Sequence, residues 1–255
     1  MKTDGLINFL NETGNLARFT GRFFREVFTP AYEFRELLRH CFFIGYKSLT
    51  LVGITAFIMG LVITLQSRPT LVEFGAEAWL PKMVSVSLVR EIAPVITALI
   101  CAGKIGSGIG AELGSMKVTE QIDAMEVSGT NPFKFLVVTR VLATTGMVPV
   151  LAVIASGISL YGGYLGSNIH GNVSWHLFWN QVFDTLKFGD IIPAVGKTFF
   201  FGFAIGIIGC YQGYNSRKGT EGVGQSANTA VVISSLLVFI IDLLAVQISD
   251  LLSLT

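Results

Sequence analysis

The chain has 255 residues, of which 51% are hydrophobic and 14% are charged, and its mean hydropathy is +0.63. This composition is far more apolar than a soluble domain needs for its core, so it indicates an integral membrane protein. A formal net charge of +1 without a clustered basic patch argues against nucleic-acid binding. The three cysteines, Cys41, Cys101 and Cys210, lack paired spacing, which predicts free thiols and no metal site.

The N-terminal segment has an amphipathic pattern. At 100° per residue one broad face is apolar, and three arginines lie together opposite it. The apolar face comprises Leu16, Phe19, Phe23, Phe24, Val27 and Phe28, and the basic face comprises Arg18, Arg22 and Arg25. This pattern predicts an interfacial helix whose apolar face enters the acyl boundary while the arginines reach the headgroups. The alternative is a soluble helix packed on another domain.

Five apolar segments follow, each long enough to cross a ~30 Å hydrocarbon core as a helix. They are residues 48–67, 83–103, 141–166, 191–214 and 227–251. The predicted fold class is therefore an all-α integral membrane protein. An N-terminal interfacial region covers residues 1–46, and a transmembrane domain with five helices covers residues 47–255.

Lysines and arginines are distributed unequally between the two sides of these spans. The N-terminal segment, the connection between spans two and three, and the connection between spans four and five hold most of them. Because basic residues accumulate in cytoplasmic loops, this bias predicts a cytoplasmic N-terminus and, after five spans, a C-terminus on the outer side.

Two spans contain charges at membrane depth. Arg90 and Glu91 are the only charges between Lys82 and Lys104, and Asp242 lies in the fifth span. One ionised side chain at the bilayer centre costs at least about 3 kcal/mol, so we expect Arg90 and Glu91 to border a wet or protein-lined cavity. The alternative is a structural pair bonded to neighbouring helices, with Asp242 as one partner.

Pro94 is expected to open the second span locally, because its missing N–H leaves the carbonyl near Arg90 without a helical partner. Lys197 is placed near the entrance of the fourth span. The glycine steps Gly106–Gly110–Gly114 and Gly202–Gly206 predict close approach between helices. The sequence contains no recognisable catalytic constellation or nucleotide-binding loop.

Residues 111–127, taken as one helix, have two contrasting faces. Val118, Ile122 and Met125 form an apolar stripe, and the opposite side holds Glu112, Asp123 and Glu126, with Glu120 nearby. Such a helix can enter a groove of a partner through its stripe and use its acids for orientation. The alternative, a helix resting on the membrane surface, is disfavoured because anionic headgroups repel acids.

The chain resembles the MlaE (YrbE) family of ABC-transporter permeases over essentially its whole length. The resemblance rests on a long, ordered block of motifs: Arg90-Glu-Ile-Ala-Pro94, Ala102-Gly-Lys104, Gly106-Ser107, Ala111-Glu-Leu-Gly-x-Met116, Thr119-Glu-Gln121, Ala124-Met-Glu126 and Pro132. An amphipathic N-terminal helix, a first span ending in Leu65-Gln66 and a last span holding Asp242 also fit.

The resemblance implies a homodimeric permease in the bacterial inner membrane. It implies that phospholipid, or a related lipid, moves between this membrane and a periplasmic MCE-domain protein. An Mla-type ATPase would bind the ATP, so this chain would hold no cofactor, and the resemblance leaves a STAS-domain subunit open. Matched by position, the residues that the resemblance places in the lipid cavity are Arg90, Glu91, Gln66 and Asp242. The resemblance also implies that the acids and the apolar stripe of residues 112–126 form the coupling helix.

Other functions remain as alternatives to a transport subunit powered by a separate ATPase. An ion-coupled secondary transporter could use Arg90, Glu91 and Asp242 as a proton relay. The sequence shows no convincing inverted repeat, and a docking helix has no obvious use in ion-coupled transport. An intramembrane enzyme would need a nucleophile or metal pair at membrane depth. A protein that only tethers an MCE protein would not need the Arg–Glu pair.

Overall fold

A computed structural model describes residues 2–29, 33–169, 171 and 173–251, with side chains from residue 10 onward. These residues form helices and connections and contain no strand. Five helices are long and apolar enough to cross a membrane, which confirms the predicted fold class. The predicted N-terminal region and transmembrane domain also include residues 1, 30–32 and 252–255, which lie outside the described residues.

The five long helices alternate in direction and are joined by short connections. In chain order the helices are α1 (Lys2–Val27), α2 (Phe34–Glu73), α3 (Glu77–Val118), α4 (Gln121–Val127), α5 (Phe133–Ile169), α6 (Trp175–Thr185), α7 (Phe188–Tyr214) and α8 (Thr220–Leu251). We call the two ends of the bundle the α1 end, which also carries α4, and the α6 end. Because α2 has no break at residues 46–47, part of the predicted interfacial region belongs to the first spanning helix.

Close contacts between small residues hold the bundle together. The longest interface joins α2 to α5. A Cβ atom on Gly202 of α7 would lie 2.5 Å from the carbonyl oxygen of Thr144 in α5, and one on Gly206 would collide with the Thr144 hydroxyl. A Cβ atom on Gly110 of α3 would lie 3.2 Å from the carbonyl oxygen of Ser226 in α8. The predicted packing role of these glycine steps is confirmed.

Helix α3 is irregular where its sequence predicts an opening. Residues Leu88–Ile92 form a π-helical turn directly before Pro94, and Ala102–Gly106 form a second one. Proline cannot donate a hydrogen bond to the carbonyl four residues earlier, so the chain widens at this point, and the N–H of Ala93 bonds to the carbonyl of Leu88. The widened turn carries both Arg90 and Glu91.

Helix α1 packs partly on the bundle and partly away from it. Phe19 and Phe23 are buried, and the ring of Phe19 lies 4.9 Å from that of Phe133 at the start of α5. Phe24 and Phe28 are exposed, as an interfacial helix requires. The predicted apolar face is therefore only partly free to enter the acyl boundary, because Phe19 and Phe23 pack on aromatic side chains of this chain.

Candidate functional site

A buried lysine joins three helices in the middle of the bundle. The Nζ atom of Lys197 on α7 lies 2.5 Å from Oε2 of Glu91 on α3 and 2.8 Å from Oδ1 of Asp242 on α8. The lysine side chain is 4% exposed, whereas those of Glu91 and Asp242 are 38% and 20% exposed. One ammonium group therefore bridges two carboxylates and provides the hydrogen bonds that buried charges require.

A second, looser ion pair lies beside this triad. Nη1 of Arg90 is 3.7 Å from Oδ1 of Asp190 in the first turn of α7. This distance is too long for a hydrogen bond, and the Arg90 side chain is 32% exposed. The guanidinium thus keeps donor groups that a phosphate or carboxylate of a ligand can accept.

The two ion pairs border one cleft between α3, α7 and α8. Its lining includes Arg90, Glu91, Asp190, Lys197 and, on α8, Ser249. Lys197 lies nine residues after the first residue of α7, and Asp242 lies nine residues before the last residue of α8. At 1.5 Å per residue the triad is about 14 Å from the α6 end, close to the middle of a ~30 Å hydrocarbon core.

The structure brings together three of the four residues predicted to line a cavity. Arg90 and Glu91 line the cleft, and Asp242 is joined to Glu91 through Lys197 without being part of the lining. Gln66 is exposed on α2 and does not line the cleft. The alternative of a pair bonded to neighbouring helices is also realised in part, since Glu91 reaches Asp242 through Lys197. The cluster is therefore both an interhelical connection and the wall of a cleft.

Lys197 and Asp190 were missed by the sequence prediction. The prediction put Lys197 near the entrance of the fourth span, but it lies buried inside α7. A signal was present, because Lys197 is the only charge between Asp190 and Arg217. The argument that singled out Arg90 and Glu91, the cost of a charge at membrane depth, applies equally to this lysine.

The predicted helix over residues 111–127 is wrong in its continuity. Helix α3 ends at Val118, Glu120 has a left-handed φ of 59°, and α4 begins at Gln121. Ile122 is 1% exposed and belongs to the main apolar core, and Met125 packs against that core. Ile122 and Met125 therefore face the chain's own bundle, whereas Val118 is half-buried. Ile122 cannot contact a partner in this conformation.

Glu112 makes a contact within the bundle that the sequence did not predict. Its Oε1 atom accepts a hydrogen bond of 2.9 Å from Nη2 of Arg140 on α5, whose side chain is 4% exposed. Nη1 of Arg140 donates to the carbonyl oxygen of Leu136. Glu112 therefore pairs with a buried guanidinium and fixes the last turns of α3 against α5.

The remaining acids form an exposed surface on and beside α4. Glu120, Asp123 and Glu126 are exposed, and Val127 next to them is 91% exposed. The ion pair between Lys117 and Asp123, at 2.9 Å, spans the break between α3 and α4. We call this set, Glu120, Asp123, Glu126 and Val127, the acidic α4 surface. This surface is the exposed side of the predicted coupling helix, and a partner protein can reach it.

The described residues contain no group of three His, Cys, Asp or Glu side chains that could hold a metal ion.

Comparison with known proteins decides the family. The model of the family named Permease MlaE matches residues 37–248. The chain belongs to the MlaE permease family. A probable ABC transporter permease protein of Rickettsia typhi is 38% identical over 94% of this chain and 93% of its own length. A similar protein of Synechocystis is 36% identical over 87% of this chain and 84% of its own length.

Another relative has a name that states a cargo. The intermembrane phospholipid transport system permease protein MlaE of Haemophilus influenzae is 32% identical over 82% of this chain and 81% of its own length. The MlaE-family chain described here is thus a multi-pass transmembrane subunit of an ABC transporter. This membership favours ATP-driven transport over the ion-coupled alternative.

Proposed function

We propose that this permease moves phospholipid, or a related lipid, between the bacterial inner membrane and a periplasmic MCE-domain protein, driven by a separate ATPase. The observation that carries the proposal is the charged cleft at mid-membrane depth, in a chain whose relative from Haemophilus influenzae is a phospholipid transport permease. A cleft for an amphiphile needs charge for the headgroup beside apolar walls for the chains. The cluster of Arg90 and Lys197 within apolar helices supplies both.

The loose ion pair of Arg90 gives a mechanism for headgroup capture. A lipid phosphate can replace Asp190 as the partner of Arg90, because a guanidinium binds phosphate through two parallel hydrogen bonds. Lys197 stays with Glu91 and Asp242 during this exchange and keeps the three helices in register. The open space in the cleft, about 20 Å³, is far smaller than a ligand pocket. A two-chain lipid therefore requires the helices to move apart or a second subunit to complete the site.

A second copy of the chain is the natural completion. The most apolar stretch of α8 is only 17% buried, compared with 56% for α7, although α8 carries Asp242 and lines the cleft. An exposed helix beside a charged cleft at membrane depth favours a homodimer around α8, in which both clefts open to one shared cavity. The acidic α4 surface then appears twice at the α1 end, as a pair of ATPase subunits requires.

Transport is tested with purified permease, the ATPase and a soluble MCE-domain acceptor in proteoliposomes. We expect transfer of fluorescent phospholipid to depend on ATP and to fall when Arg90 is replaced by Gln. Arg68→Gln is the matched control, because Arg68 pairs with Glu77 near the α6 end, outside the cleft. Lipid transfer that does not depend on ATP, and that a pH gradient drives in the absence of the ATPase, would favour the ion-coupled transporter.

Lipid contact is tested with photo-crosslinkers at positions 90 and 91. We expect phospholipid adducts in the detergent-purified complex at one or both positions. A stable, correctly assembled complex without adducts at either position would show that the cleft does not receive lipid.

ATPase docking is tested on the acidic α4 surface. Glu126→Lys should reduce co-purification of the ATPase, because it reverses a charge that is exposed at the proposed contact. Glu73→Lys makes the same charge change at the α6 end, where we expect no effect. Equal recovery of the ATPase with both variants would reject this surface.

Orientation is tested with single cysteines. Thr70 and Asp184 are exposed at the α6 end, and Lys218 lies at the α1 end. We expect an impermeant maleimide to label cysteines at positions 70 and 184 in intact spheroplasts, and one at position 218 only after lysis. The reverse pattern would place the N-terminus outside, and the ATPase could not then reach α4.

A further inference from the structure

A second cleft in the bundle is almost entirely apolar. It lies between α5 and α7 in the half of the bundle nearer the α6 end, with Val89 and Pro94 of α3 as its floor, and its open space is about 180 Å³. Small side chains leave this space open: Ala152 and Ser156 on α5 and Ala194 on α7. We call it the α5–α7 groove.

The groove exists because α5 and α7 touch at one level and separate at another. Toward the α1 end Gly202 and Gly206 bring α7 against Val141 and Thr144 of α5. Toward the α6 end the two helices diverge, and the groove opens between them. Two lining residues, Val153 and Ile191, are 54% and 36% exposed, so the groove is accessible from the surrounding bilayer.

We propose that the α5–α7 groove binds one acyl chain of a phospholipid from the leaflet at the α6 end. Along α5 its lining extends from Ala152 to Leu160, a separation of eight positions and therefore about 12 Å at 1.5 Å per residue. One leaflet of a ~30 Å hydrocarbon core is about 15 Å deep. The groove therefore matches the length of a chain that enters from one leaflet and ends near the midplane.

Aromatic residues mark the depth in the membrane at which the bound acyl chain begins. Tyr161 and Tyr164, just beyond the groove on α5, pack against Trp175 of α6, with ring centroids 6.3 and 4.8 Å apart. Tyr and Trp collect at membrane–water interfaces, so these rings lie at the headgroup level. At the same end Leu186 lines the groove, and the exposed Lys187 that follows it can meet a lipid phosphate.

The groove adjoins the charged cleft but is distinct from it. Ala194 lines both, and the π-helical turn of α3 contributes Val89 to the groove and Arg90 to the cleft. A lipid held here therefore lies one small side chain away from Lys197 and Arg90. The role of the groove as a position from which lipid enters transport rests on the proposed function. Binding of an acyl chain in the groove does not depend on that function.

Two neighbouring isoleucines provide a depth-matched test. Ile191 lines the groove and is 36% exposed, whereas Ile192 points elsewhere and is 66% exposed. The permease alone is placed in nanodiscs of phosphatidylethanolamine and phosphatidylglycerol with a trace of phospholipid carrying a diazirine in its acyl chain. After illumination, mass spectrometry locates the labelled residues. We expect Ile191 to be labelled about tenfold more than Ile192, a ratio equivalent to a preference of ~1.4 kcal/mol.

Variants that fill the groove complete the experiment. Ser156→Trp should reduce labelling of Ile191 to the level of Ile192, whereas Ile154→Trp, on the exposed side of α5, should leave it unchanged. If Ile192 is labelled as strongly as Ile191 in the unaltered protein, the lipid is annular only and the proposal fails. The unaltered protein decides this result even where Ser156→Trp does not fold. Because no ATPase, nucleotide or acceptor is present, failure of transport leaves this outcome unaffected.

Discussion

Replacing Lys197 with Met tests whether the buried triad holds the bundle together. Methionine preserves most of the length of the side chain but removes the only ammonium within hydrogen-bonding distance of Glu91 and Asp242 among the described residues. Both carboxylates then face an apolar surround without a cation. We expect the variant to be less stable because desolvated charges lose the partner that compensated them.

The magnitude follows from the burial of the three groups. Removing one partner of a buried ion pair costs about 3–5 kcal/mol. Since Glu91 is 38% and Asp242 20% exposed, solvent screening puts the expected loss at the lower limit, about 3 kcal/mol. For a chain of this size 1 kcal/mol corresponds to ~2–4 °C, so the midpoint of thermal unfolding should fall by about 6–12 °C.

The assay is thermal unfolding in lipid nanodiscs, followed by loss of the monodisperse peak in size-exclusion chromatography. Lys117→Met is the matched control, because it makes the same substitution in an ion pair of 2.9 Å whose side chains are 36% and 54% exposed. Such a pair contributes about 0–1 kcal/mol. If Lys197→Met lowers the midpoint no more than Lys117→Met, the triad does not stabilise the fold. Adding Glu91→Gln and Asp242→Asn to Lys197→Met should restore most of the loss, because no uncompensated charge remains.

Three further substitutions are checked in the same assay. Gly202→Ala should destabilise the protein by about 1–3 kcal/mol, because its Cβ would lie 2.5 Å from a carbonyl oxygen of α5. Gly196→Ala is the control and should not destabilise the protein, because its Cβ would meet nothing within 4 Å. Equal effects of the two substitutions would contradict this view of the α5–α7 contact. Glu120→Gly should stabilise by up to about 1 kcal/mol, since glycine adopts the left-handed φ of 59° without strain, and a loss would show that the glutamate side chain contributes more than the strain costs. Glu112→Gln should cost about 1 kcal/mol by weakening the only carboxylate bond that the structure gives the buried Arg140; an unchanged midpoint would return Glu112 to the acids available for docking.

Much of the fold is determined locally. The length of each charge-free segment predicts a spanning helix. Lipid provides no hydrogen-bond partners, so the N–H and C=O groups of the backbone must bond to each other within the segment. The opening before Pro94 is equally local, since it follows from one missing N–H. Glycine at every fourth position predicts close approach, although it does not say which helix approaches. These predictions hold in α2, α3, α5, α7 and α8 as the structure describes them.

The site and the coupling region required the tertiary structure, because they depend on which faces of distant helices meet. The partner of Glu91 lies 106 residues away along the chain, and no periodicity within α3 identifies Lys197. The amphipathic pattern of residues 111–127 correctly predicts two faces but not which one is covered, and the bundle itself buries Ile122. The break at Glu120 also depends on context, since a left-handed glutamate persists only where surrounding contacts offset its strain. The sequence by itself thus determined five spans and the charges they carry, and only the packing of those spans decided that one lysine joins two of the acids.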